Sequence, residues 1–118
     1  MDASTAVKVL AALAQESRLA IFRTLVQVGP AGLPAGLPAG LPAGQLAEQL
    51  GIAPSSLSFH TKELVHAGLV SSRHEGRFVI YSAHIDGMNQ LLSYLTENCC
   101  GGNPCTPISQ TVCTPQQA

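Results

Sequence analysis

The chain has no tryptophan, and aromatic residues make up only 4% of its 118 positions. Any core must therefore be aliphatic. With 46% hydrophobic residues the chain can fill one small core and one domain. No apolar run approaches the roughly 20 residues that span a bilayer. The start, Met1-Asp2-Ala3-Ser4, lacks the basic region and unbroken apolar segment of a signal peptide. These absences lead us to expect a cytoplasmic protein with no membrane partner. Lysine and arginine are scarce, six in all, and the net charge is −1, which argues against holding a polyanion by bulk charge. No Gly-rich phosphate loop follows a strand pattern, and no Ser/His/Asp set converges, so no enzyme is expected. Cysteine is absent from the first 98 residues.

What is present centres on Gly44 to Val70, GQLAEQLGIAPSSLSFHTKELVHAGLV. Leu46, Ala47 and Leu50 recur at helical spacing, and Gly51 supplies a left-handed stop. Pro54 suits the first turn of a second helix, where its missing N–H costs nothing. Leu57, Thr61, Leu64 and Val65 form the inward stripe, and Gly68 ends the helix. Two helices joined by a short glycine-bearing turn are a helix-turn-helix. On the outward side stand Ser55, Ser56, Ser58, His60, Lys62 and His66, short or polar groups suited to base edges and phosphates. Serine is a mediocre helix former, so propensity does not account for three of them there.

Val70 to Tyr81 reads as a β-hairpin turning at Glu75-Gly76, with Arg73, His74 and Arg77 about its tip. A basic-tipped hairpin directly after a helix-turn-helix is a wing that touches phosphates beside the groove. Three of the six Lys+Arg residues (Lys62, Arg73 and Arg77) lie on the second helix and this hairpin taken together, and none follows Arg77. The other class of reading is a winged-helix protein-interaction module that never touches DNA. The basic residues gathered on one side argue against it.

Before this core, Thr5 to Ala14 is helical, with Val7, Leu10, Ala11 and Ala14 on one stripe and Ser4 or Thr5 as its cap. A second helix from about Ser17 to Val28 is apolar most of the way round, which predicts a central, buried helix. Pro-Ala-Gly-Leu then repeats from Pro30, and residues 30–44 are expected to be a low-complexity loop, because a proline every fourth residue forbids helix. Removing two units would leave an ordinary connection. His84 to Asn98 reads as the last helix, with Ile85, Met88, Leu91, Leu92 and Leu95 on a stripe that needs something to cover it.

The run Leu57-Ser58-Phe59-His60-Thr61-Lys62-Glu63-Leu64, then Ala67-Gly68-Leu69-Val70, Glu75-Gly76-Arg77 and Tyr81, resembles the ArsR/SmtB family of bacterial winged-helix repressors. Ala14 to Arg23 resembles a further family segment, with Arg18 at its basic position. The resemblance covers roughly residues 5 to 105 and implies a repressor that releases operator DNA on binding a metal or metalloid. Thr61 departs from the family's usual leucine. The implied fold is mainly α with a β-hairpin wing, dimerised through the first and last helices. Leu10, Met88, Leu91, Leu92 and Leu95 are then the expected interface, and residues 1–105 the domain.

All four cysteines (Cys99, Cys100, Cys105 and Cys113) follow the last helix. In a cytosolic protein they are not expected to be structural disulfides. Gly101-Gly102 frees the backbone and Pro104 fixes the approach to Cys105, so Cys99, Cys100 and Cys105 could converge on one ion. Thiolates select soft centres, and a structural zinc wants four ligands where this compact set offers three sulfurs. Trivalent arsenic or antimony is satisfied by three sulfurs in a pyramid. The resemblance implies the same: some arsenic-responsive members carry a similar Asn-Cys-Cys run with a third cysteine shortly after. A redox switch of the same thiols and a cadmium- or zinc-sensing repressor remain open. His84, Asp86 and Glu97 only partly echo the family's zinc ligands, and no arginine follows any cysteine to make the anion loop of phosphatase-like arsenate reductases. Residues 106–118 are Thr/Pro/Gln-rich and expected to be a disordered tail.

Overall fold

Asp2 opens the first helix by accepting a hydrogen bond from the Thr5 N–H at 2.8 Å, so the cap is Asp2 rather than Ser4 or Thr5. The computed structural model describes residues 1–28 and 40–98. Helix α1 spans Ala3–Leu13 and buries Ala6, Val9 and Ala12. The stripe of Val7, Leu10, Ala11 and Ala14 lies on the exposed side of the protomer. The helix is apolar on several sides, and its two buried alanines let the backbone approach its neighbours closely. The end of α1 is tied to the next helix by Arg18. Its Nε donates to the Ala12 carbonyl at 2.6 Å and its Nη2 to the Ala11 carbonyl at 3.3 Å. The guanidinium thus serves the Ala12 carbonyl at the helix end and shares the Ala11 carbonyl with the Ala14 N–H, which bonds it at 3.2 Å.

Helix α2 spans Glu16–Val28 and buries Ile21, Phe22 and Leu25. It is not buried all round: Leu19, Val26 and Val28 are exposed. Among the described residues the expected loop is shorter than residues 30–44. Strand β1, Leu41–Pro42, pairs antiparallel with the wing, Leu41 opposite Tyr81 and Pro42 opposite Ile80, and a helix starts at the next residue. The seam needs glycine at Gly40. Its φ is +91°, and a Cβ there would overlap the Tyr81 carbonyl oxygen. The remainder of the repeat lies outside the described residues.

Helix α3, Ala43–Leu50, and helix α4, Pro54–His66, form the helix-turn-helix. Both end as their glycines predict. At Gly51 (φ +64°) the Ile52 N–H reaches the Ala47 carbonyl at 3.0 Å. After α4 the Leu69 N–H bonds the Leu64 carbonyl and the Gly68 N–H the Val65 carbonyl, each at 3.0 Å. Leu57 and Leu64 of α4 join Ile21, Leu25 and Leu46 in one core, which also takes in Phe22 and so is not purely aliphatic as expected; Thr61 is buried on the same face of α4. Thr61, fully buried at 0% exposure, meets no unsatisfied environment. Its hydroxyl donates to the Leu57 carbonyl at 2.9 Å and lies 3.1 Å from that of Ser58, so the polar group is paired within the helix.

Strands β2, Val70–Glu75, and β3, Phe78–Ala83, make the hairpin, and the sheet order is β1-β3-β2. Glu75 pairs with Phe78, so the turn residues are Gly76 and Arg77 rather than Glu75 and Gly76. Helix α5, Ile85–Thr96, follows.

Candidate nucleic-acid interface

Helix α4 is set by its inward residues. Leu57, Thr61 and Leu64 lock one face into the core, which turns Ser55, Ser56, Ser58 and Lys62 to solvent. Pro54 at the N-terminus leaves the first amides of α4 free, and no side chain caps them. That end is a donor-rich, electropositive surface suited to a phosphate. His60 differs from the other expected contacts. It is half-buried, and its Nδ1 is buried without a hydrogen-bond partner.

The wing carries the other cations. Arg77 is exposed in the turn itself. Arg73 is half-exposed, and its Nε donates to Glu75 Oε2 at 2.9 Å. An exposed pair of this kind is worth little to stability. The residues expected to bind DNA thus fall on two adjoining elements: Ser55, Ser56, Ser58, His60 and Lys62 on α4, Arg73 and Arg77 on the hairpin.

Phe59 is one outward residue of α4 that the sequence pattern did not single out. It is 62% exposed, with its ring edge-on to His60 at 5.8 Å. The signal was available, because a residue two positions from Leu57 lies roughly 200° round a helix.

The end of α4 is joined to the start of α5. His84 Nδ1 lies 3.0 Å from the Gly68 carbonyl, which can only accept, so Nδ1 donates. The His84 N–H bonds the Leu69 carbonyl at 2.8 Å. Gly87 of α5 sits so close that a Cβ would overlap the Gly68 carbonyl oxygen. No local sequence signal marks this junction, since its partners lie far apart in the chain, His84 and Gly68 by 16 residues.

The expected dimer residues separate. Leu91 is 3% exposed and belongs to the protomer's own core, so it cannot serve the interface as expected. Met88 packs partly against that core and Leu92 is half-buried. Leu10, at 43%, and Leu95, at 54%, remain open. Among the described residues no group of three His, Cys, Asp or Glu is placed to hold a metal, so His84, Asp86 and Glu97 do not gather within one protomer. Cys99, Cys100 and Cys105, like Cys113 and the tail, lie outside the described residues. No helix among the described residues is long and apolar enough to cross a membrane.

Residues 13–73 match a family model described as a helix-turn-helix domain. No curated protein sequence matches the chain. Solved structures do. HlyU from Vibrio cholerae N16961 is 31% identical, covering 80% of this chain and 97% of its own, with a TM-score of 0.59. An ArsR-like transcriptional regulator from Rhodococcus sp. RHA1 is 26% identical over 80% of this chain and 78% of its own, with a TM-score of 0.66. A structure described as a possible transcriptional regulator for arsenical resistance is 25% identical over 75% of this chain and 80% of its own, with a TM-score of 0.59. With a helix-turn-helix whose outward face and basic hairpin adjoin, and with these relatives, the chain belongs to the ArsR/SmtB family of winged helix-turn-helix, DNA-binding transcriptional regulators.

Proposed function

We propose that the protein is a homodimeric repressor that releases its operator when trivalent arsenic, or antimony, binds Cys99, Cys100 and Cys105. The observation that carries this reading is the placement of those cysteines. They begin three residues after α5 ends at Thr96, directly beyond Asn98, whose φ of +59° turns the chain out of the helix. One of the similar structures is itself described as a possible regulator for arsenical resistance, which agrees with it.

The chemistry suits three thiols. Arsenite, As(OH)3, takes three cysteine sulfurs and releases three waters, each formed from a thiol proton and a hydroxide. No fourth ligand and no redox step is needed. The dimer reading rests on Leu10 and Leu95, large apolar side chains on α1 and α5 that the protomer leaves exposed. Two recognition helices in one dimer meet two half-sites of duplex DNA and double the modest phosphate contact of a single subunit.

The route from thiols to DNA runs through α5. Drawing the end of α5 toward Cys105 displaces the helix that His84 and Gly87 seat against the end of α4. Operator is released only if the metalloid binds the DNA-free arrangement more tightly, and DNA then weakens metalloid binding by the same factor.

Operator release titrated with arsenite, antimonite, cadmium, zinc and peroxide tests the proposal. Arsenite and antimonite should release DNA from the wild type. Cys99→Ser, Cys100→Ser and Cys105→Ser should each bind DNA and lose that response, while Cys113→Ser keeps it. Release by peroxide alone would replace metalloid sensing by a redox switch. A response retained in all four variants would remove the site.

A further inference from the structure

Phe59 is an exposed aromatic in the middle of a recognition face whose other residues are polar: Ser55, Ser56, Ser58, His60, Lys62 and Glu63. The fold does not need it. Leu57, Thr61 and Leu64 hold α4 in the core from the other side, and Phe59 stands 62% exposed. Ser55 lies one turn before it and Lys62 one turn after it on the same outward stripe. The ring meets His60 edge-on, at 5.8 Å and 73° between planes, so a half-buried neighbour braces it on one side while its outer part stays open. A single exposed apolar residue needs no explanation in general. This one lies within the surface that a winged helix-turn-helix lays into the major groove.

We infer that Phe59 is a specificity-determining residue that reads the C5-methyl of a thymine in each operator half-site. The inference rests on the DNA-binding reading of α4. In the major groove the thymine methyl is the one apolar feature that distinguishes a base pair, and an aromatic ring is a suitable partner for it. Phe59 offers no hydrogen bond, so it cannot read a purine edge. Lys62 beside it supplies the phosphate contact that sets the register, and Ser55 and Ser58 supply short hydrogen bonds. Burying one methyl group is worth about a fourfold change in affinity, or roughly sixteenfold when both half-sites of a dimer are altered.

The test replaces thymine by deoxyuridine, which removes only the methyl. A preferred duplex is first selected by the full-length wild type from a randomised pool at one salt concentration. Each thymine is then changed to deoxyuridine in turn. For the wild type, one symmetry-related pair of positions should lose about sixteenfold in affinity. Phe59→Ala should bind the thymine operator more weakly and no longer distinguish it from the uracil version. Phe59→Leu, which keeps apolar bulk, should retain part of the discrimination. Lys62→Ala should lose affinity for both duplexes equally and keep the ratio. An enriched site with a flat uracil scan, or a Phe59→Ala variant that discriminates as the wild type does, overturns the role of Phe59 alone. A pool that yields no preferred sequence overturns the DNA-binding reading and this inference with it.

Discussion

Replacing Gly87 by alanine is a small change with a defined point of impact. Gly87 lies in the first turn of α5, where glycine is a poor helix former, so alanine by itself should add about 0.5–1 kcal/mol of stability. The new Cβ, however, would overlap the Gly68 carbonyl oxygen and crowd the Gly68 carbonyl carbon. These are backbone atoms held by the 3.0 Å bonds that close α4, so they cannot swing aside as a side chain could. Overpacking of this kind costs about 1–3 kcal/mol. If α5 moves out to relieve it, the exposed His84–Gly68 bond goes too, at about 0.5–1.5 kcal/mol. The penalties outweigh the propensity gain, and a net loss of about 1–3 kcal/mol follows. Gly44→Ala is the control, because it is helical in α3 with nothing within 4 Å of its Cβ, and it should be neutral or stabilising. Urea unfolding at one fixed protein concentration reads both through their midpoints. A Gly87→Ala midpoint at or above that of the wild type would refute the claim that α5 is seated on the end of the recognition helix. Folded Gly87→Ala protein should also bind operator more weakly, since Gly68 ends the helix that enters the groove.

On the DNA face, Ser58→Ala with His60→Ala should abolish sequence-specific binding while leaving the fold intact, and Arg77→Ala should weaken binding to every sequence and reduce the salt slope by about 1 per subunit; gel shifts across a salt series check both. At the dimer face, Leu95→Glu should give monomers by sedimentation that no longer hold a two-half-site operator, whereas Leu91→Ala should instead lower stability by about 2–5 kcal/mol, because Leu91 is core. The Thr5 N–H bonded to Asp2 holds that carboxyl below its ordinary 3.8, so its contribution to stability is full above the ordinary value and is lost as the pH falls through the lowered one. Asp2→Ala should therefore lower the melting temperature at neutral pH, and the difference from wild type should close in strong acid.

The sequence alone determined the helix-turn-helix and the wing. Those elements are marked by local signals: Gly51, Pro54 and Gly68 punctuate the two helices, and the Leu57, Thr61, Leu64 spacing admits only one buried face. The outward polar set on α4 followed directly, because a helix with one side fixed has its other side fixed as well. Where apolar residues surround a helix, periodicity cannot choose a face. Tertiary packing chose Ala6, Val9 and Ala12 of α1 over Val7 and Leu10, and it drew Leu91 of α5 inward while leaving Leu95 out. Nor could local reading find contacts between distant segments. Leu41–Pro42 became a strand only because β3 offered a free edge and Gly40 could approach Tyr81. Arg18 found its partners across a helix junction, and His84 and Gly87 found Gly68 only when α5 folded back onto the recognition helix. Each of these depends on two surfaces meeting, and a one-dimensional pattern records each surface without recording which one it meets.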